Sequence, residues 1–263
     1  MSARSDAYGW RLLATAAAFA LFGLSSLVLG VIVLPLLRVL PGSAAGRRQR
    51  VRALLGSCMR WFARVLQHLG VLTFEFRGSE RLGLPGQLIL ANHPTLLDAI
   101  FLLGFAPSSG CIAKQSLWRN PITRWTVLAA GYVSNDPTDR MIEDASRALQ
   151  EGQSVIIFPE GTRTVPGQAL HFHRGAAAIA IRAASLVTPV FVRCSPPTLA
   201  KSDPWYRIPE RRVHYSLRTG EDIDPEPYRR GTSGPLAARA LNAVLVRRFA
   251  AEIGEPNGGS ALL

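Results

Sequence analysis

The chain has 263 residues, 48% of them hydrophobic, which excludes intrinsic disorder as its general state and allows one full-sized domain with an appendage. Its formal charge is +12, and only Lys114 and Lys201 among the basic residues are lysines. Such a surface attracts anions, whether nucleic acid, acidic lipid head groups or phosphorylated substrates. Cys58, Cys111 and Cys194 lie too far apart for a CxxC or zinc pattern and read as reduced thiols.

Residues 1–46 read as a hydrophobic membrane anchor and linker. From Leu12 to Leu37 there is no charge, a run longer than the ~20 residues that cross a bilayer core. Gly23, Gly30 and Pro35 interrupt it, so a re-entrant or flat-lying helix is an alternative to a span. Tyr8 and Trp10 suit an interface, and Arg38, Arg47, Arg48, Arg50 and Arg52 outnumber Arg4 and Arg11 on the other side. That bias places the bulk of the chain on the cytoplasmic face of the inner membrane. "PGSAAG" at 41–46 is a short linker.

Residues 47–69 read as a basic amphipathic helix, with Val51, Leu54, Leu55, Cys58, Trp61, Phe62, Val65, Leu66 and Leu69 on one stripe. It suits either an anionic interface or packing on the domain. From 70 to 253 short apolar runs alternate with helical patterns. The strands expected are 71–77, 87–91, 110–113, 154–158, 187–193 and 212–218; the helices are 95–104, 118–129, 138–151, 174–184 and 234–252. That alternation predicts an α/β domain, a mostly parallel sheet flanked by helices. Residues 196–210 form a proline-rich excursion, and 254–263 a loose tail.

No GxSxG elbow, GxxxxGK[ST] loop or GxGxxG is present. His171 and His173 share one face of an extended segment without nearby carboxylates, so no metal site is expected. Neither a helix-turn-helix nor aromatic–basic interleaving supports nucleic acid as a partner. The informative stretch is "LILANHPTLLDAI", 88–100. A buried strand ends at Ala91, and Asn92 or His93 falls at a helix N-cap with Pro94 at the first helical position. An imidazole there is kept neutral by the helix dipole, and a carboxylate on its other nitrogen fixes the tautomer. His93 and Asp98 can thus form a base and its orienter. With five His and eight Asp in the chain, HxxxxD arises by chance only roughly 0.15 times. "FPEGTR", 158–163, follows another buried strand.

These blocks resemble those of the HxxxxD-type glycerolipid acyltransferases, the lysophosphatidic acid acyltransferase group. "NHPTLLD" is similar to the first block, "AKQSLWRNPITRWTVLAAGYV" to the second region with its glycine before a short strand, "FPEGTR" to the third and "VTPV", 187–190, to the fourth. The resemblance implies a membrane-bound O-acyltransferase. His93 is then the general base on the acceptor hydroxyl and Asp98 its orienter, with direct attack on an acyl thioester. Glu160, Gly161, Thr162 and Arg163 shape the acceptor site, with Arg163 on a phosphate and Lys114 and Arg174 as further contacts. The donor is acyl-CoA or acyl-carrier protein, with no cofactor, and the partners are membrane lipids and a lysophospholipid acceptor, first of all 1-acylglycerol-3-phosphate. Two departures bear on the acceptor. Ser134, Asn135, Asp136 and Pro137 stand where many members carry an arginine, with Arg140 the nearest base, and His173 stands at a lysine position. A specialised hydroxylated lipid acceptor, a hydrolase and a silent lipid-binding scaffold are the alternatives.

Overall fold

The computed structural model describes residues 7–164, 170–201, 203–230 and 232–254. Arg4, Asp6 and the expected tail from residue 255 onward lie outside the described residues.

Helix α1 (Tyr8–Val28) continues through a π turn at Leu29–Val33 into α2 (Leu34–Val39). Pro35 has no N–H to return to the carbonyl four residues back, and a π turn relieves that mismatch without breaking the helix. Tyr8–Leu37 is the one helix among the described residues long and apolar enough to cross a bilayer, with mean hydropathy 2.5. It does not stand clear of the body. Arg11 is buried and donates to the carbonyls of Pro209 (2.9 Å), Glu210 and Arg211 (3.2 Å), while Trp10 Nε1 donates to Leu69 O (2.8 Å). Farther along, Phe19 meets Trp205 and Phe22 meets Phe62. Leu34 shares a small core with Val51, Leu55 and Ala130. The helix therefore lies along the body, and its outer face exposes Leu13, Leu24, Val31 and Leu36.

Helix α3 (Ala44–His68) is N-capped by Ser43, whose hydroxyl accepts from Gly46 N at 3.1 Å. Of its stripe, Val51, Leu55, Phe62 and Leu66 are buried while Trp61 is exposed, so most of this amphipathic face packs on the domain. Each such side chain contributes ~1.5–3 kcal/mol.

The rest alternates strands and helices: β1 (Leu72–Arg77), β2 (Gln87–Ala91), α4 (Asp98–Phe105), β3 (Gly110–Ala113), α5 (Ser116–Arg119), α6 (Arg124–Ala130), β4 (Val133–Ser134), α7 (Thr138–Gln150), β5 (Val155–Ile157), α8 (Gly175–Ala183), β6 (Leu186–Ser195), β7 (Val213–Thr219), α9 (Glu226–Arg229) and α10 (Gly234–Gly254). The strands form one sheet in the order β1-β7-β6-β2-β5-β3-β4. All neighbours are parallel except β6 and β7. Strand β2 is buried at every residue, as a continuous apolar run in the middle of a parallel sheet should be. One face is covered by α7, α8 and α10 through residues such as Leu149, Ile179 and Phe249, the other by α3 and α4 through Phe62, Phe101 and Leu102.

Three local expectations are corrected. The single helix at 118–129 is two, because Pro121 drives Asn120 to an extended conformation (ψ 121°) and the Asn120 side chain accepts from Ile122 N at 2.9 Å. Strand β4 is not among the strands read from apolar runs, since two residues cannot show a period of two. Helix α4 starts at Asp98, not at 95, and neither Asn92 nor His93 is its N-cap.

Candidate active site

Strands β2, β5, β3 and β4 run parallel, so the residues after them gather at one edge of the sheet, where α/β folds place their sites. Asn92 ends β2 by acting as one more backbone unit. Its Nδ2 donates to Val192 O and its Oδ1 accepts from Val192 N, both at 2.8 Å. His93 follows, held extended by Pro94. Both its main-chain groups are clamped by the loop after β5. His93 N donates to Glu160 Oε1 at 2.9 Å, and His93 O accepts from Thr164 N at 2.7 Å. Thr164 Oγ1 also donates to Glu160 Oε1, at 2.9 Å.

The imidazole is fixed independently. Its Nδ1 lies 2.9 Å from Asp98 Oδ2, and its ring stacks on Phe158 at 4.2 Å and 25°. Asp98 is 0% exposed against 19% for the His93 side chain. The carboxylate also accepts from Thr95 N (2.7 Å) and Thr95 Oγ1 (2.6 Å), and Tyr215 Oη donates to that Thr95 hydroxyl at 3.0 Å. Burial pushes the Asp98 carboxyl up from its usual range, while the donors on His93 and Thr95 pull it back toward the anion. With Oδ2 accepting, Nδ1 carries the hydrogen and Nε2 keeps the lone pair. The pair that the sequence picked out is therefore assembled. The lone pair does not depend on a helix dipole, since the helix begins five residues later, at Asp98.

Glu160 is turned inward as the acceptor of the clamp rather than toward a ligand, and burial pushes its carboxyl up, against the pull of the His93 and Thr164 donors. The folded chain thus holds this proton to higher pH than the unfolded chain does. Stability falls as pH rises from the ordinary carboxylate range through the raised value, and Asp98 adds a slope of the same sign. Glu160→Gln keeps an acceptor oxygen and stays neutral. Denaturation midpoints from about pH 4 to pH 7 should decline less for this variant than for wild type; parallel curves would remove Glu160 as a source of the slope.

Gly161 has φ +66°, and a Cβ there would stand 3.0 Å from His173 Cδ2. The glycine thus serves a left-handed turn and a close approach. His173 N donates to Pro159 O at 2.8 Å, which seats the imidazole against this loop. Arg163 has partners that sequence reasoning missed. Its Nη1 donates to Leu199 O (2.8 Å) and Ala200 O (2.9 Å), and its Nη2 to Lys201 O (3.3 Å). Leu199 O also accepts from Leu96 N at 3.3 Å, so the arginine ties the proline-rich excursion to the loops after β2 and β5. Arg163→Ala should lower stability by ~1.5–3 kcal/mol, the range for a charged hydrogen bond, read as a fall of the thermal midpoint with Arg163→Lys recovering part of it. An unchanged midpoint would free the arginine for a ligand role.

Thr162, Lys114 and Arg174 are exposed at the same edge. Asn135 extends the end of β4 toward Lys114, its N donating to Ala113 O and its Oδ1 accepting from Gln115 N, both at 3.0 Å. No cluster of three His, Cys, Asp or Glu able to hold a metal occurs among the described residues. Cys194 is no ready nucleophile, because burial pushes its thiol up to about 12.

Sequence reasoning also missed Phe158, Thr95 and Tyr215. Thr95 had a signal: "TLLD" has the T-x-x-D spacing at which a carboxylate turns back onto the N–H three residues earlier, here Thr95 N, although Thr95 is not the cap of the helix.

The family model "Acyltransferase" matches residues 73–193. The 1-acyl-sn-glycerol-3-phosphate acyltransferase of Pseudomonas aeruginosa is 29% identical over 136 residues, 49% of this chain and 52% of the relative. The human protein of that name with the suffix beta is 29% identical over 143 residues, 51% of each chain. That of Helicobacter pylori is 35% identical over 101 residues, 36% of this chain and 43% of the relative. The chain thus spans about half the length of the curated relatives it matches. The crystal structure of the 1-acyl-sn-glycerophosphate acyltransferase PlsC from Thermotoga maritima superposes with TM-score 0.69 at 23% identity, over 94% of this chain and 98% of that one, and shows the same fold. The segment 73–193, which holds His93, Asp98 and the "FPEGTR" loop, belongs to the acyltransferase family.

Proposed function

We propose that this chain is a membrane-bound O-acyltransferase that moves a fatty acyl group from a thioester to the free hydroxyl of a lysophospholipid. The observation that carries the reading is the His93–Asp98 pair, whose free Nε2 has no serine or cysteine attached to it among the described residues. A base without a protein nucleophile suits direct attack. Nε2 takes the proton of the acceptor hydroxyl as its oxygen attacks the thioester carbonyl. The tetrahedral intermediate collapses, the carbon–sulfur bond breaks, and the thiolate takes that proton back from the imidazolium. Asp98 stabilises the imidazolium in between. The products are the ester and the free thiol of coenzyme A or acyl-carrier protein.

The acceptor we favour is 1-acylglycerol-3-phosphate, giving phosphatidic acid, as the names of the relatives suggest. Lys114 and Arg174 are exposed beside the site and suit its phosphate, while Arg163 shapes the wall through the 199–201 carbonyls. The N-terminal helix lying along the body suits a lipid substrate taken from the cytoplasmic face of a membrane, its exposed apolar side in the acyl region. A specialised hydroxylated lipid is the second reading, favoured by the stretch Ser134 to Pro137, which lacks the arginine expected there and in which Asn135 is engaged with Gln115.

The test is acyl transfer in membranes carrying the protein, with acyl-CoA and acyl-carrier protein as donors and lipid products read by mass spectrometry. Phosphatidic acid formed only when 1-acylglycerol-3-phosphate is added supports the first reading. A different esterified lipid supports the second. Free fatty acid released at equal rate with and without acceptor would replace transfer by hydrolysis.

A further inference from the structure

Helices α5 and α6 form the connection from β3 to β4, yet α6 packs against the apolar N-terminal helix. A Cβ on Gly30 would meet Trp125 Cβ at 3.6 Å. Ala130 is buried with Leu34, Val51 and Leu55, and Ala129 packs against them. The outer side of this connection, which begins at the Trp125 that borders Gly30, is not buried. Ile122, Trp125 and Leu128 follow one another at intervals of three, on one stripe, and are 42%, 45% and 43% exposed. Beside them Val31, Ile32 and Leu36 are also exposed. An apolar groove of about 330 Å³ joins the two sets, lined by Gly30, Val31, Leu34, Pro35, Trp125 and Ala129.

Two charges frame the stripe. Arg119 and Arg124 are exposed, and the Arg124 guanidinium lies over the Trp125 ring at 5.4 Å. An indole with a guanidinium at its level suits the boundary between head groups and acyl chains. A continuous apolar surface of this kind, rimmed by arginine on a chain of net charge +12, is complementary to an anionic bilayer. Water on both sides would leave these side chains and the groove without a partner.

We propose that Ile122, Trp125 and Leu128 form a second membrane-inserting element, separate in sequence from the N-terminal helix, and that the groove between them and the π turn receives an acyl chain of a bilayer phospholipid. The consequence is orientation. A body held by one helix can roll about that helix, whereas a second contact fixes the roll. This contact lies between Lys114, at the end of β3, and Asn135, at the end of β4, so it sets that edge of the site against the lipid surface. The inference rests on the reading of α1 and α2 as lying in the membrane.

The experiment uses the full chain with four of its five tryptophans changed to Phe, leaving Trp125. A companion protein has all five changed and carries Leu27→Trp, on the exposed side of α1. Each is mixed with phosphatidylglycerol–phosphatidylethanolamine vesicles whose acyl chains are brominated. Quenching of both emissions supports the proposal. Quenching of the Leu27→Trp protein without quenching at Trp125 overturns it while leaving the membrane reading of α1 intact. Quenching of neither overturns both. As a second readout, Trp125→Glu and Leu128→Glu should each weaken vesicle binding roughly tenfold, with far-UV circular dichroism unchanged. Unaltered binding by folded variants would sink the proposal.

Discussion

Replacing His93 with alanine should lower turnover by about 10²–10⁴, the usual contribution of a general base, while the protein stays folded. The second half of that expectation comes from how the residue is held. Glu160 binds the His93 amide and Thr164 binds its carbonyl, and both contacts survive removal of the ring. Asp98 keeps its two donors on Thr95. The variant loses the stacked contact with Phe158 and the Nδ1 bond, and little else. Turnover and thermal midpoint measured on the same preparation check this. Wild-type turnover would remove His93 as the base, and a collapsed midpoint would mean that the loop depends on the ring itself.

Asp98→Asn separates charge from geometry. In wild type, one carboxylate oxygen, Oδ2, accepts from both His93 Nδ1 and Thr95 N, and the other, Oδ1, from the Thr95 hydroxyl. An asparagine can put its carbonyl oxygen at the first position and its amide nitrogen at the second, where the Thr95 hydroxyl accepts once it turns its own hydrogen to Tyr215 Oη and that bond reverses. The tautomer of His93 is then preserved and only the negative charge behind the imidazolium is lost. A hydrogen bond to a charged group is worth ~1.5–3 kcal/mol, so kcat should fall by about 10- to 150-fold with KM for the acceptor nearly unchanged. Asp98→Ala, which also frees the ring to turn, should fall further. Equal losses in the two variants would assign Asp98 to orientation alone, and a shift confined to KM would move it out of the chemical step.

The sequence carries the His93–Asp98 pair because base and orienter lie within one loop, and their spacing survives in any strand-to-helix connection. It carries Gly161 for a similar reason, since a left-handed turn is a local demand. Arg163 was read as a phosphate contact because an arginine in a strand-end loop looks available. Its carbonyl acceptors lie 36 to 38 residues away in a proline-rich stretch with no period, and nothing local announces them. Asn92 looked like a helix cap, and its bond to Val192 follows only from β6 lying beside β2. Tyr215 reaches the site across the antiparallel β6–β7 pair. The apolar run from Leu12 to Leu37 showed its length but not its attitude, which is set by Arg11 on the 209–211 carbonyls and by Leu34 on α3 and α6.

The bond between Asn92 and Val192 also has a meaning in time. These residues are 100 positions apart, and at about 5–20 residues per second a ribosome needs roughly 5–20 s to travel between them. Throughout that interval the apolar N-terminal segment is already outside and able to reach lipid, while β2 lacks β6 and, until residue 157 is made, β5 as well. On the proposed membrane reading, the nascent chain settles on lipid before the loop that carries His93 is pinned to β6 through Asn92.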